Sequence, residues 1–200
     1  MSIGEGVGEE RRGRFIVLVG PDGVGKTEVA RELTRRRGGC YFHFRPPLRT
    51  RNLLDSPPVD GGQKEVRSGP FPLGTVRLFR NVVLFWLGYV GSVIPTLRSG
   101  FDVVADRWAY GYLVQPSALK FSGPKWLARL AVSVLPRPHL VVNLTAAPET
   151  VRRRKPELSL SEIGRELDAW ATLPLLQIVT IDAEPPVSII VDQLSEELSR

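Results

Sequence analysis

A single cysteine, Cys40, excludes an intramolecular disulfide and leaves no cysteine-based metal cluster to build. It reads as filler at the start of a strand. The opening stretch MSIGEGVGEERRG holds no apolar run, so no signal-peptide pattern is present and residues 1–13 are expected to form a flexible tail. Long hydrophobic runs are also missing. The most apolar stretch, VVLFWLGYVGSVI at residues 82–94, stops at Pro95, short of the roughly 20 residues that span a bilayer. A buried helix and a cytoplasmic protein with no membrane partner are expected. Repeats and low-complexity tracts are absent, and no composition shift cuts a second domain, so residues 14–200 read as one.

What is present is ordinary in bulk: 42% hydrophobic, 24% charged, with a net charge of +6 carried mostly by arginine. That balance suits an anionic ligand. The aromatics do not interleave with the basic runs at 35–37 and 152–154, so a nucleotide is expected and nucleic acid is not.

The informative stretch is residues 15–38, FIVLVGPDGVGKTEVARELTRRRG. Five apolar residues predict a buried strand. They run into Gly20-Pro21-Asp22-Gly23-Val24-Gly25-Lys26-Thr27, which fits G-x-x-x-x-G-K-[ST], and a helical pattern with Val29, Ala30 and Leu33 follows. In such a loop the backbone N–H groups of Gly20 to Gly25, Val24 included, turn inward around phosphate oxygens at a helix N-terminus. Lys26 then reaches the β- and γ-phosphates and the Thr27 hydroxyl ligates Mg²⁺. ATP and Mg²⁺ are the implied cofactors.

Further strands are expected at 40–44, 102–105, 140–144 and 177–181, alternating with helices at 74–97, 126–134, after Pro148, from Ser159 or Ser161 to Trp170, and from Val187. Ser159 and Glu162 have capping-box spacing. Residues 48–74, rich in Pro, Gly and charge, are expected to form a long loop. The alternation predicts a three-layer α/β/α fold around a parallel sheet, with ligand at the carboxyl ends of the strands.

Asp106 ends an apolar strand, where a P-loop protein places a second Mg²⁺ carboxylate; the alternative is a turn-capping Asp. Arg107 follows at once, and its permanently charged fork suits phosphate oxygens. Asp22 is unusual among phosphates. It either accepts a hydrogen bond from a substrate hydroxyl or serves the turn before Gly23. No N-K-x-D base-reading motif accompanies the loop, which argues against a GTPase switch, and no Glu flanks Asp106 as an ATP-hydrolysing motor would need.

GPDGVGKT, Asp106-Arg107-Trp108 and the segment after Leu144 together resemble the thymidylate kinases among the nucleoside-monophosphate kinases. The likeness covers residues 14–194. Ser122 to Leu130, Leu135-Pro136-Arg137-Pro138 and Arg154-Lys155-Pro156-Glu157-Leu158 are similar to stretches of a divergent thymidylate-kinase-like branch. The resemblance implies a five-stranded parallel sheet, a short helical lid and transfer of a phosphoryl group from ATP-Mg²⁺ to an acceptor phosphate. It implies sugar contact by Asp22, acceptor-phosphate contact by Arg45, and bridging of donor and acceptor by Arg107. It implies lid cations among Arg152, Arg153 and Arg154, an adenine turn at Asp182-Ala183, and a base-stacking Phe79. The arginine expected four residues after that Phe is Val83; Arg80 is adjacent and faces elsewhere on a helix. Gly111 stands where a serine is usual, and the usual Tyr-Gln pair is missing, although Tyr112 and Gln115 are nearby. A small-molecule acceptor is implied. The apolar helix from Gly74 offers a homodimer face, as in that family, or internal core.

Overall fold

The computed structural model describes residues 12–43, 71–106, 108–173 and 178–199. Arg45, Arg107 and the 48–70 part of the expected loop lie outside the described residues, as do 1–11 of the expected tail. Gly13, assigned to that tail, is part of the fold. Its N–H donates to the Leu97 carbonyl, and a Cβ there would stand 2.0 Å from the Phe101 carbonyl oxygen.

β1 (Phe15–Val19) is buried throughout, as a strand covered on both faces must be. Its even residues, Ile16 and Leu18, join one core cluster, while Phe15, Val17 and Val19 join the other. β2 (Gly39–His43), β3 (Asp102–Asp106), β4 (Leu140–Thr145) and β5 (Ile178–Asp182) complete a sheet of order β2-β3-β1-β4-β5. Every described pairing is parallel. The expected five-stranded parallel α/β fold is the one observed, with P-loop strand β1 at its centre.

α1 (Lys26–Arg37) and α8 (Val187–Glu197) cover one face through Val29, Leu33, Ile190 and Leu194. α5 (Lys125–Ser133) and the long helix cover the other. There Trp108 meets Phe15 and Phe85 edge-on, with ring centroids 5.2 and 5.0 Å away. At the amino end, Asp102 accepts from the Arg14 N–H at 2.9 Å and from Arg37 Nε at 2.8 Å, anchoring the last turn of α1 to β3. Ser159 caps α7 (Leu160–Ala171) in the expected capping box with Glu162.

Two expectations about the long helix are corrected. It begins at Phe71 rather than Gly74, because a proline in the first turn costs nothing where N–H groups have no intrahelical acceptor. It continues from α2 (Phe71–Gly88) through a π-helical turn, Tyr89–Val93, into α3 (Ile94–Arg98). The Ile94 N–H bonds to the Tyr89 carbonyl, and this wider turn accommodates Pro95. The helix is also not buried. Leu78 and Phe85 face the core, but Val76, Phe79, Val83, Leu87 and Val90 form an exposed apolar stripe. Leu73–Arg98 is long and apolar enough to cross a membrane by length and composition only. The expected linker before Pro116 contains a short helix, α4 (Gly111–Val114).

Candidate active site at the P-loop

The loop after β1 owes its shape to glycines. Gly20 has φ +130°, and a Cβ there would lie 2.4 Å from the Leu144 carbonyl oxygen on β4. Gly23, at φ +91°, leaves room for the Lys155 side chain, whose Cγ would stand 2.6 Å from an added Cβ. Val24 is buried and pins the loop to the core. Gly25 occupies the N-cap of α1 in a left-handed conformation, and no side chain caps that helix. Its first-turn N–H groups therefore suit an anion.

Lys26 is only 7% exposed. Its ammonium donates to the Gly20 carbonyl at 2.8 Å and the Pro21 carbonyl at 2.7 Å, and lies 3.5 Å from Asp22 Oδ1. Asp22 thus turns toward the P-loop lysine. From α7, Glu166 reaches the same electrostatic neighbourhood. Burial pushes its carboxyl above the usual range, with Lys26 pulling it back and Asp22 opposing, while Trp170 Nε1 donates to it at 3.4 Å.

The two residues expected at Mg²⁺ are linked by one that sequence reasoning missed. Tyr41 is hydrogen-bonded to Thr27 and donates to Asp106 Oδ2 at 2.9 Å. Burial and the Asp106 charge push its phenol far above the usual range. His43 Nδ1 lies 2.5 Å from Asp106 Oδ1. Tyr41 and His43 alternate along β2, so both point to one side, and the register places His43 directly opposite Asp106. The only signal for them was that alternation. Asp106 itself is 2% exposed, inside the sheet rather than at a surface turn. A hydroxyl and a carboxylate are the hard oxygen donors Mg²⁺ prefers, and it keeps several waters of its own. Among the described residues no three His, Cys, Asp or Glu cluster as a metal cage.

α6 (Pro148–Arg154) carries the expected lid cations. Helical phase sorts them. Arg154 Nη1 donates to the Val24 carbonyl at 3.1 Å, and the next residue, Lys155, packs on Gly23. Arg153 bonds Thr150 on its own helix, and Arg152 is exposed. Arg154 and Lys155 are therefore the two that the structure brings to the loop. At the end of β5, the Asp182-Ala183 turn is held by the Ala183 N–H on the Thr145 carbonyl at 2.7 Å and by the Glu184 N–H on Asp182 Oδ1 at 3.0 Å.

The expected acceptor pair is not brought to this centre. Phe79 is 56% exposed on the outer stripe of α2, because Leu78 and Phe85 take the inward phase. Arg80 turns onto its neighbour Asn81, whose amide donates to the Tyr112 hydroxyl at 2.5 Å.

No family model matches the sequence, and no curated protein matches it either. Solved structures do match. Thymidylate kinase from Candida albicans, described as broad in substrate specificity, superposes with a TM-score of 0.60 at 17% identity, over 94% of this chain and 92% of that one. At that identity the likeness is one of fold. Sheet order, glycine loop and coverage agree on it: the chain has the fold of thymidylate kinase.

Proposed function

We propose that this protein transfers the γ-phosphoryl group of ATP to the phosphate of a nucleoside monophosphate, thymidylate being the first candidate. The observation that carries this reading is convergence: Lys26, the Thr27–Tyr41–Asp106 chain and Arg154 all meet at one P-loop. Phosphoryl transfer asks little covalent work of a protein; it asks for alignment and for charge placed where charge develops. Bound phosphates would take Lys26 from the carbonyls of Gly20 and Pro21. Thr27 and Asp106 would hold Mg²⁺, which would supply positive charge against the phosphates. Arg107, next in sequence to Asp106, would contact the transferred group, with Arg45 on the acceptor. Arg154 and Lys155 would close over the loop and exclude water. A cytoplasmic location would supply the ATP.

A second acceptor class has its own support. With Phe79 on an exposed stripe and Val83 in place of an arginine, the parts that would read thymine are altered. A different phosphorylated metabolite, or a nucleotide-binding role without turnover, follows from that. ADP release from ATP-Mg²⁺, screened against nucleoside monophosphates and phosphorylated sugars, separates these. Acceptor-dependent release is expected, and Arg107→Ala should lower it by roughly 10³-fold while ATP affinity changes little. Equal turnover by the variant would remove Arg107 from the mechanism; ATP binding with no acceptor effect would favour the regulator.

We further propose that the exposed stripe is a homodimer face. Trp126 and Leu130 of α5 and Val134 at its C-cap extend it, and Trp86 Nε1 donates to the Val134 carbonyl at 3.2 Å. Aromatic and aliphatic side chains of this kind characterise homodimer cores. Light scattering in detergent-free buffer should give twice the chain mass, and Val83→Glu should give the monomer. A wild-type monomer, or protein that floats with lipid vesicles, would refute the assignment.

A further inference from the structure

A second concave site lies away from the P-loop. Between α4, α5 and α7 is a cavity of about 970 Å³, at the upper end of the range of small-molecule sites. It reaches Pro138 and Val141 at the start of β4, and no residue of Gly20 to Thr27 lines it. Its floor is apolar, with Phe121, Ala128, Val132 and Leu173. Its described charged residues are Lys125, Arg129 and Arg137, all cationic and all exposed, with no carboxylate among them.

The arrangement follows from helical phase. α5 buries Leu127 and Ala131 in the core cluster and shows Trp126 and Leu130 to solvent, with Val134 just past its end, which leaves Lys125 and Arg129 on the cavity side. Tyr110 supplies an independent observation. It is 6% exposed and lines the cavity, yet its hydroxyl has no hydrogen-bond partner among the described residues. Burial raises its pKa, while the charge of Arg137 acts in the opposite direction. A hydroxyl that lines a cavity and meets no partner among the described residues leaves a donor for something else. Tyr112, by contrast, is already engaged by Asn81.

We propose that this cavity is a second ligand site, taking an amphiphilic organic anion whose apolar body fills the floor and whose head group meets Arg137 and the Tyr110 hydroxyl. A purely apolar ligand would leave that hydroxyl unpaired and gain nothing from three cations. A small inorganic anion would leave the floor empty. The assignment is independent of the phosphotransfer reading, since it uses none of the same residues.

The test uses octyl phosphate as probe, read by calorimetry on the full chain, with inorganic phosphate and octanol as the two halves of the ligand. Saturable binding of one octyl phosphate per chain is expected, with a dissociation constant below roughly 100 µM and neither half binding comparably. Arg137→Glu should weaken it roughly 10-fold or more by reversing the charge at the head group. Ala128→Phe should abolish it by filling the floor; if that variant fails to fold, Arg137→Glu and Arg129→Glu, both at exposed positions, decide. Val83→Glu should leave binding unchanged, and excess ATP-Mg²⁺ should not compete. Absence of saturable binding overturns the proposal. So does binding that ATP displaces, which belongs to the P-loop, and so does binding lost in Val83→Glu but kept in Arg137→Glu, which belongs to the α2 stripe.

Discussion

Lys26→Ala is expected to lower ATP-dependent turnover by roughly 10²- to 10³-fold or more and to weaken ATP binding, with the fold retained. The lysine is buried, and its charge is compensated by two loop carbonyls and Asp22. A triphosphate can replace those partners because it offers a denser negative charge at the same place. Without the ammonium, Asp22 would face the phosphates uncompensated. The double variant Lys26→Ala with Asp22→Asn should therefore recover part of the lost affinity, a coupling visible only if the two side chains share the phosphate site. Calorimetric titration with ATP, with and without Mg²⁺, reads both effects. Wild-type affinity in Lys26→Ala would mean that phosphates do not enter this loop.

Gly20→Ala should destabilise the whole domain by about 4 kcal/mol, in the range of large single-site effects with a definite steric cause. Two costs combine at this position. A φ of +130° is one that L residues rarely adopt, and the new methyl would stand 2.4 Å from the Leu144 carbonyl oxygen. That oxygen belongs to β4, the direct neighbour of β1, so relief would require opening the centre of the sheet. Urea denaturation should show a midpoint lowered in proportion, or protein recovered only as aggregate. An unchanged midpoint would show that the loop can leave this conformation cheaply, and the preformed phosphate cradle would go with it. Gly25→Ala makes an informative contrast: its φ is also positive, but the nearest atoms are the ends of the Glu28 and Arg154 side chains, at 3.4 and 3.6 Å. The cost there should be strain without collision, about 1–3 kcal/mol.

Local chemistry explains what could be read directly. Gly20 to Thr27 is legible because a phosphate cradle, its glycines and the following helix are contiguous in the chain. The buried runs at β1, β3 and β4 are legible because strands covered on both faces need unbroken apolar sequence. The capping box at Ser159 reaches only to Glu162, so it too is local.

Other features depend on partners distant in sequence. His43 gains its meaning from the register that sets β2 against β3, and Tyr41 from lying between Thr27 and Asp106. Choosing Arg154 from a run of three arginines took the phase at the end of α6. The apolar residues of α2 have one composition whether covered or bare, and only the packing of Leu78 and Phe85 shows which stripe is left outside.

By itself, then, the sequence determined that this chain folds as an α/β protein around a P-loop, because motif and hydrophobic pattern are properties of neighbouring residues. Tertiary structure alone decided which side chains meet that loop, which apolar face stays open, and where a second cavity forms. Those depend on helix phase and strand register between segments separated by tens of residues, where no local pattern specifies the partner.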